Sequence, residues 1–311
     1  MDRVWVGVDV SKRHLDVFAQ SRFMQFSNDE AGVSELIEQL QAVEGCHAVV
    51  EATGGYEQLV VRRLIEAGFA ASIVNPVQAR QFCRAMGQAA KTDKIDARML
   101  AEFGAVRQPS KTVLPSEEEE KIKVLSGRRD QVIAMIRQEK CALEHASDWV
   151  RDRIEAHLER LEEESSELQD EIDATFRKSE LLSDMRTVLM EERGVGRVVS
   201  TAVLANMPEL GRIKGKQASA LAGLAPYAHD SGQKRGRRKC KGGRPQLRAA
   251  LYMAALTAGR FNPKIKPLYD RLTAAGRPKK TVLIACARKL LVILNAVARD
   301  HLEARSRPLA A

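Results

Sequence analysis

Two rhythms of apolar and polar positions alternate along the N-terminal third of the chain. The Val-rich run over 3–10 and the shorter runs over 14–19 and 23–27 read as β-strands joined by short polar turns, a three-stranded meander. Val33, Leu36, Ile37 and Leu40 then fall at helical spacing within 29–43, with Asn28 or Asp29 placed to cap the start. A strand over 47–51, a turn at Thr53-Gly54-Gly55 and a helix over 56–67 follow. Next come a strand over 70–74 closed by Asn75-Pro76, a helix to Met86 and, after Gly87, a helical segment that opens with Asp93 and Asp96. The order β-β-β-α-β-α-β-α-α predicts an α/β domain of the ribonuclease H-like class, a mixed sheet with helices on both faces.

Beyond it the strand rhythm is gone. Two prolines mark 106–116 as a linker, and the stretch from Glu117 to Lys178 has no Pro and a single Gly, Gly127. Within it Ile154, Leu158, Leu161, Ser165, Leu168 and Ile172 are spaced 4-3-4-3-4, a heptad seam that predicts a coiled coil or a long antiparallel hairpin. Further helices are expected over 181–192, 198–206, 216–222, 245–260, 263–275 and 280–300. The domain plan is therefore 1–105 for the α/β domain, 106–116 for the linker, 117–180 for a helical arm and 181–311 for a mostly α-helical C-terminal domain.

Charge separates these regions. Residues 211–311 hold 23 Lys and Arg against four acids, a net +19, so with +9 overall the first 210 residues carry −10. Such a split points the C-terminal third at a polyanion, with nucleic acid the expected partner. The arm has the opposite character. From Glu155 to Asp173 it bears nine acids and one Arg, which suits protein contact better than phosphate. Five scattered cysteines with no C-x-x-C pair and no Cys/His cluster indicate neither zinc nor disulfides. Met1-Asp2-Arg3 leads directly into a strand with no secretory signal, and the apolar run from Thr281 to Ala298 is interrupted by Arg288, Lys289 and Asn295. The expectation is a cytoplasmic, nucleoid-associated protein with no membrane partner.

Candidate chemistry begins with carboxylates. Asp93 and Asp96 are three apart on a helix, which brings their Cβ atoms to roughly 5–6 Å. They could ligate Mg²⁺ or Mn²⁺, or form a solvated face neutralised by Lys91, Lys94 and Arg98. Asp9 and Glu51 change the balance. Each ends a strand, and the carboxyl ends of strands in such a sheet form its ligand crevice. Helix, Gly194-Val195-Gly196, helix is the helix-hairpin-helix pattern, whose glycines let backbone N–H groups approach a phosphate. A glycine-rich loop runs from Asp230 to Arg244. Lys234, Arg235, Arg237, Arg238, Lys239, Lys241, Arg244 and Arg248 give the stretch from Lys234 to Arg248 eight cations and no acid, a surface for nucleic-acid phosphates.

In this order the blocks Val6-Gly7-Val8-Asp9-Val10-Ser11-Lys12, Glu51-Ala52-Thr53-Gly54-Gly55-Tyr56, Asn75-Pro76 and Lys91 to Arg98 resemble the DEDD transposases of the insertion sequence 110 family. Relatives of that family are the Piv-type DNA invertases and the bridge-RNA-guided recombinases. Gly194-Val195-Gly196, Leu221 to Pro226, Ser231-Gly232 and Leu251-Tyr252-Met253 extend the resemblance over nearly the whole chain. The resemblance implies a RuvC-like domain in which Asp9, Glu51, Asp93 and Asp96 are the metal ligands. It implies that Ser231 attacks DNA and becomes covalently linked to a phosphate. It further implies a homo-tetramer in which Ser231 of one protomer meets the carboxylates of another, and a non-coding bridge RNA that selects donor and target DNA.

Read without the family, Ser231 is a turn serine before Gly232, with Tyr227 and Tyr252 as rival nucleophiles and Tyr252 better placed in a helical core. Two other functions fit the residues. One is a junction-resolving or other nuclease whose acids activate water. The other is a non-enzymatic architectural nucleic-acid-binding protein.

Overall fold

A computed structural model describes residues 3–88, 92–228, 236 and 238–306. The chain divides into two compact units, Met1–Leu114 and Pro115–Ala311.

The first unit is built on five strands and four helices: β1 (Val4–Val10), β2 (His14–Ala19), β3 (Arg22–Ser27), α1 (Glu30–Gln41), β4 (Cys46–Glu51), α2 (Gln58–Glu66), β5 (Ala70–Val74), α3 (Pro76–Ala85) and α4 (Asp93–Arg107). The strands lie in the order β3-β2-β1-β4-β5. β1, β2 and β3 pair antiparallel, whereas β4 runs parallel to β1 and β5 parallel to β4. This is the ribonuclease H-like topology expected from the element order. The alternation of side chains along β1 assigns the faces. Val6, Val8 and Val10 join Val33, Leu36 and Leu40 of α1 and Val60, Val61 and Leu64 of α2 in one core. On the opposite face Val49 and Val74 pack with Leu100 and Phe103 of α4, against Trp5 and Phe82.

Local chemistry explains where the helices start. Asp29 accepts from the Gly32 amide at 2.9 Å, and Asn75 accepts from the Val77 amide at 2.8 Å with Pro76 opening α3. Residues 106–116 differ from a plain linker. The Thr112 amide donates to the Ala71 carbonyl at 2.8 Å, Thr112 Oγ1 accepts from the Ile73 amide at 3.0 Å, and Ser72 Oγ donates to the Ser110 carbonyl at 2.8 Å. β5 is an edge strand with unpaired backbone groups, and this segment covers them.

The second unit opens with α5 (Glu117–Glu144) and α6 (Asp148–Lys178). They form an antiparallel pair joined by Lys121–Glu171, Arg128–Glu164 and Lys140–Glu162 ion pairs at 2.6–2.8 Å. Leu158, Leu161 and Ile172 of the heptad seam are buried. Then come α7 (Glu180–Met190), α8 (Arg197–Asn206), α9 (Gly215–Leu221), β6 (Pro226–Tyr227), β7 (Lys239–Cys240), α10 (Pro245–Phe261), α11 (Lys266–Ala274) and α12 (Lys279–Ser306). The short β6–β7 ribbon, at the base of what reads as a featureless loop, carries no strand rhythm in the sequence.

Among the described residues α12 alone is long and apolar enough to cross a membrane. Val282, Leu283, Cys286, Ala287, Leu290, Leu291, Leu294 and Ala298 of this helix are buried in the core formed with α7 to α11. Asn295, the polar interruption, is buried too. Its Oδ1 accepts from the Gly211 amide at 3.0 Å and its Nδ2 donates to the Ile213 carbonyl at 2.8 Å, fastening the turn before α9 to α12.

Candidate active site

Asp9 stands near the carboxyl end of β1, and Glu51 ends the neighbouring parallel strand β4. Both share a strand parity with residues packed under α4: Trp5 and Gly7 in β1, Val49 in β4. Helix α4 must come very close to β1 for its first turn to reach them. A Cβ built on Gly7 would lie 1.9 Å from the Ala97 carbonyl oxygen and 2.6 Å from the Ala101 amide nitrogen, so only glycine permits the crossing. Thr92 caps α4, its Oγ1 accepting from the Ile95 amide at 3.3 Å, and Asp93 and Asp96 lie in the first turn where the helix dipole favours acids. Lys94, between them in sequence, reaches over the Phe23 ring of β3 with its Nζ 4.9 Å from the ring centre.

The result is one cleft of ≈ 270 Å³ lined by Asp9, Glu51, Asp93 and Asp96 together with Ser11, Thr53, Arg80 and Cys83. Its rims are tied. Asn28 Nδ2 donates to the Ser11 carbonyl at 2.9 Å and to the Tyr56 carbonyl at 3.1 Å, joining the turn after β1 to the turn after β4. Buried Glu57 accepts from the Thr53 amide at 3.0 Å and the Gly55 amide at 2.8 Å, which sets the backbone that follows Glu51.

Electrostatics mark the cleft as charged against itself. Burial first, and then the charges of Asp96, Glu51, Asp93 and Asp16, push the Asp9 carboxyl up from 3.8 to about 6. Asp16 is a fifth acid that pattern reading does not single out. It sits directly across from Asp9 in the β1–β2 pair, is buried, and accepts from Gln25 Nε2 at 2.9 Å. Its signal was an acid between Leu15 and Val17, opposite Asp9 only once the register is known. Arg80 and Cys83 on α3 were also missed, because the fold alone carries them to the cleft. Burial and Asp96 push the Cys83 thiol up, while Arg80 opposes that shift.

Among the described residues no three His, Cys, Asp or Glu side chains are close enough together to hold a metal ion as they stand. The donor set nevertheless fits a hard divalent cation. All four donors are carboxylates, and the burial and repulsion that raise Asp9 are what such a cation offsets.

The nucleic-acid-facing residues divide. Ser231, Lys234, Arg235 and Arg237 lie outside the described residues. Arg238, Lys239 and Lys241 are exposed, with Lys239 in β7 and Lys241 Nζ 5.9 Å from the Tyr227 ring centre. Arg244 grips Glu209 with two hydrogen bonds of 2.7 and 2.8 Å and donates to the Asn206 carbonyl at 2.8 Å. Arg248 donates to the Gly242 carbonyl at 2.6 Å. These two cations hold the base of the loop. There Gly223 and Gly243, both at positive φ, touch backbone to backbone with no room for a Cβ on either. Gly194 is likewise packed against Ala258 of α10, whereas Gly196 caps α8 with open space around it. Tyr252 packs on the helical core, and Tyr227 is exposed.

The DEDD transposase model of the IS110 type matches residues 6–148, and the transposase model of the IS116/IS110/IS902 family matches residues 186–270. The chain is 28% identical over 314 aligned residues to the pilin gene-inverting protein of Moraxella bovis, covering 97% of each chain. It is 26% identical to the 44.8 kDa protein of insertion element IS116 from Streptomyces clavuligerus, covering 96% of this chain and 95% of that one. Thermus thermophilus RuvC in complex with a Holliday junction substrate aligns over 36% of this chain and 100% of its own, at 14% identity and a TM-score of 0.28. Matched in both units by models of one family, the chain belongs to the IS110 family of transposases, enzymes of DNA recombination with pilin gene-inverting proteins among their relatives.

Proposed function

We propose that this transposase cuts and rejoins donor and target DNA through a covalent phosphoserine intermediate. Asp9, Glu51, Asp93 and Asp96 would hold Mg²⁺ or Mn²⁺, and Ser231 would serve as the nucleophile. The observation that carries the reading is that four acids distant in sequence line one cleft at the carboxyl ends of β1 and β4. A divalent cation bound there would lower the proton affinity of an oxygen nucleophile and offset charge on the scissile phosphate.

The chain's own residues do the rest. Ser231 Oγ attacks phosphorus. The Oγ–P bond forms as one P–O bond of the strand breaks, the serine proton passes to a base or solvent, and the departing DNA hydroxyl takes a proton in turn. Attack by a DNA hydroxyl on the phosphoserine reverses the exchange, so one phosphodiester is made for each one lost and no outside energy source is needed. Arg238, Lys239 and Lys241, exposed beside the loop, supply phosphate contacts.

The family resemblance supports three further elements: a bridge RNA that selects the DNA sites, a homo-tetramer in which Ser231 of one protomer serves the acids of another, and cytoplasmic action at the nucleoid. The α5–α6 pair then acts as a coiled-coil arm for protein contact. The turn at Gly194-Val195-Gly196 acts as a helix-hairpin-helix contact to phosphate through the open end of α8 at Gly196.

The test is a gel assay for protein covalently attached to DNA, with strand exchange scored in parallel. Ser231→Ala is expected to abolish the adduct and the exchange while DNA binding persists, and recombination by Ser231→Ala overturns the reading. Asp93→Ala is expected to abolish both without lowering the melting temperature, because it relieves carboxylate repulsion. Sequencing the RNA that co-purifies with the protein tests the guide, and its absence from active preparations removes it.

A further inference from the structure

We propose that Arg80 is a substrate-contacting residue of the acidic cleft, its guanidinium holding the non-bridging oxygens of the phosphate that is cut. The assignment rests on the reading of the four acids as the place of DNA cleavage, and adds to it a residue that neither charge pattern nor motif singles out.

Arg80 belongs to α3, is partly buried, and among the described residues is the one cation lining the cleft with Asp9, Glu51, Asp93 and Asp96. A structural arginine in such company would be expected to neutralise an acid. Two arginines of this unit do: Arg63 bridges Glu30 and Glu66, and Arg98 pairs with Glu102. Arg80 has no such ion pair with a described residue, although four carboxylates face the same space. Its charge is nevertheless felt inside the cleft, where it opposes Asp96 and Glu51 at Cys83.

The helix that carries Arg80 is firmly set. Asn75 and Pro76 fix its start, Ala79 and Cys83 are buried beneath it, and Phe82 packs edge-on against Phe103 of α4 with ring centres 5.4 Å apart. A cation held in place with no ion pair to a described residue needs little reorganisation to meet an incoming anion, the arrangement that stabilises charge developing in a transition state. A phosphodiester entering a cleft of carboxylates is otherwise repelled, and the planar fork of a guanidinium matches two phosphate oxygens.

The experiment uses the full chain, with any co-purifying RNA, and duplexes carrying the end sequences of the DNA element that bears this gene. One duplex has the natural phosphodiester at the cut position, and another has an uncharged methylphosphonate there. On the natural linkage Arg80→Ala is expected to nick about 10²–10³-fold more slowly than wild type with unchanged binding in gel shift, and Arg80→Lys to recover part of the rate. On the methylphosphonate the difference between wild type and Arg80→Ala is expected to collapse, because the charge that Arg80 meets is gone. Nicking by Arg80→Ala at the wild-type rate overturns the proposal, and so does an equal loss on both linkages, which marks a structural role. Asp93→Ala separates the two levels. If it is inactive while Arg80→Ala is not, only the assignment of Arg80 fails. If Asp93→Ala nicks like wild type, the reading of the acids fails and the assignment of Arg80 falls with it.

Discussion

Acids crowd two regions of this chain, the α6 arm and the cleft at the end of β1 and β4, and the fold arranges them differently. On the arm, Glu162, Glu164 and Glu171 each lie across from a cation of α5, and Asp173 meets Arg186 at 2.6 Å. In the cleft, burial and then the neighbouring acids raise Asp9 to about 6, and Arg80, the one lining cation among the described residues, has no ion pair with a described residue. A helix pair can neutralise charges because facing helices present side chains to one another along their length. A sheet end instead directs its side chains into a common crevice. Acid count therefore says little about function, and what distinguishes the cleft is that acids distant in sequence converge on one space.

The sharpest way to break the contrast is to move α4. Gly7→Ala puts a methyl group into the Ala97 carbonyl, so the helix must shift. The expected cost is about 1–3 kcal/mol in thermal or denaturant unfolding. Nicking is expected to fall about 10²-fold through misplacement of Asp93 and Asp96 by about 1 Å. Wild-type nicking by Gly7→Ala would mean that the close crossing does not set the site.

Asp9 gives a smaller effect with a definite sign. Its carboxyl is raised from 3.8 to about 6 in the folded chain, so folding favours the protonated form. The stability this adds is present below pH 3.8 and is lost as pH rises through about 6. Asp9 is partly exposed, and after solvent screening about 1 kcal/mol of this pH dependence should remain. Asp9→Asn is expected to flatten it in metal-free unfolding curves, and Mg²⁺ to raise the wild-type melting temperature at pH 7 but not that of Asp9→Asn. An unchanged pH profile in Asp9→Asn would show that the cleft is not charged against itself.

The arm should respond least. A double-mutant cycle on Arg128 and Glu164, an exposed pair 2.8 Å apart, is expected to return about 0.2–1 kcal/mol, with nicking unaffected. A coupling several times larger would place the arm's acids in the same category as the cleft's.

Much of the fold could be read before any coordinates. The strand and helix periods outlined the five strands of the sheet in order, and of Asn28 and Asp29, both placed to cap the first helix, Asp29 does so. Asp9 and Glu51 were legible because an acid at the end of a Val-rich strand has few structural uses. Asp16 was not, since its importance depends on the strand register that sets it opposite Asp9. Nor were the separate uses of the basic residues. Arg244 and Arg248 look like Lys239 and Lys241 in composition, but Glu209 and the Gly242 carbonyl claim them for the base of the loop. The β6–β7 ribbon was hidden because four residues in two strands hold no period.

Taken alone, the amino-acid sequence determined the class of fold, the family and the sign of charge in each region, because these depend on local periodicity, ordered motifs and residue counts. Only the tertiary structure decided which charges remain available. Whether an arginine or a carboxylate is cancelled depends on what lies within a few ångströms of its tip. In this chain the near approach of α4 at Gly7, the pairing of β1 with β2 and the seating of α3 beside the cleft set those neighbours across long stretches of sequence.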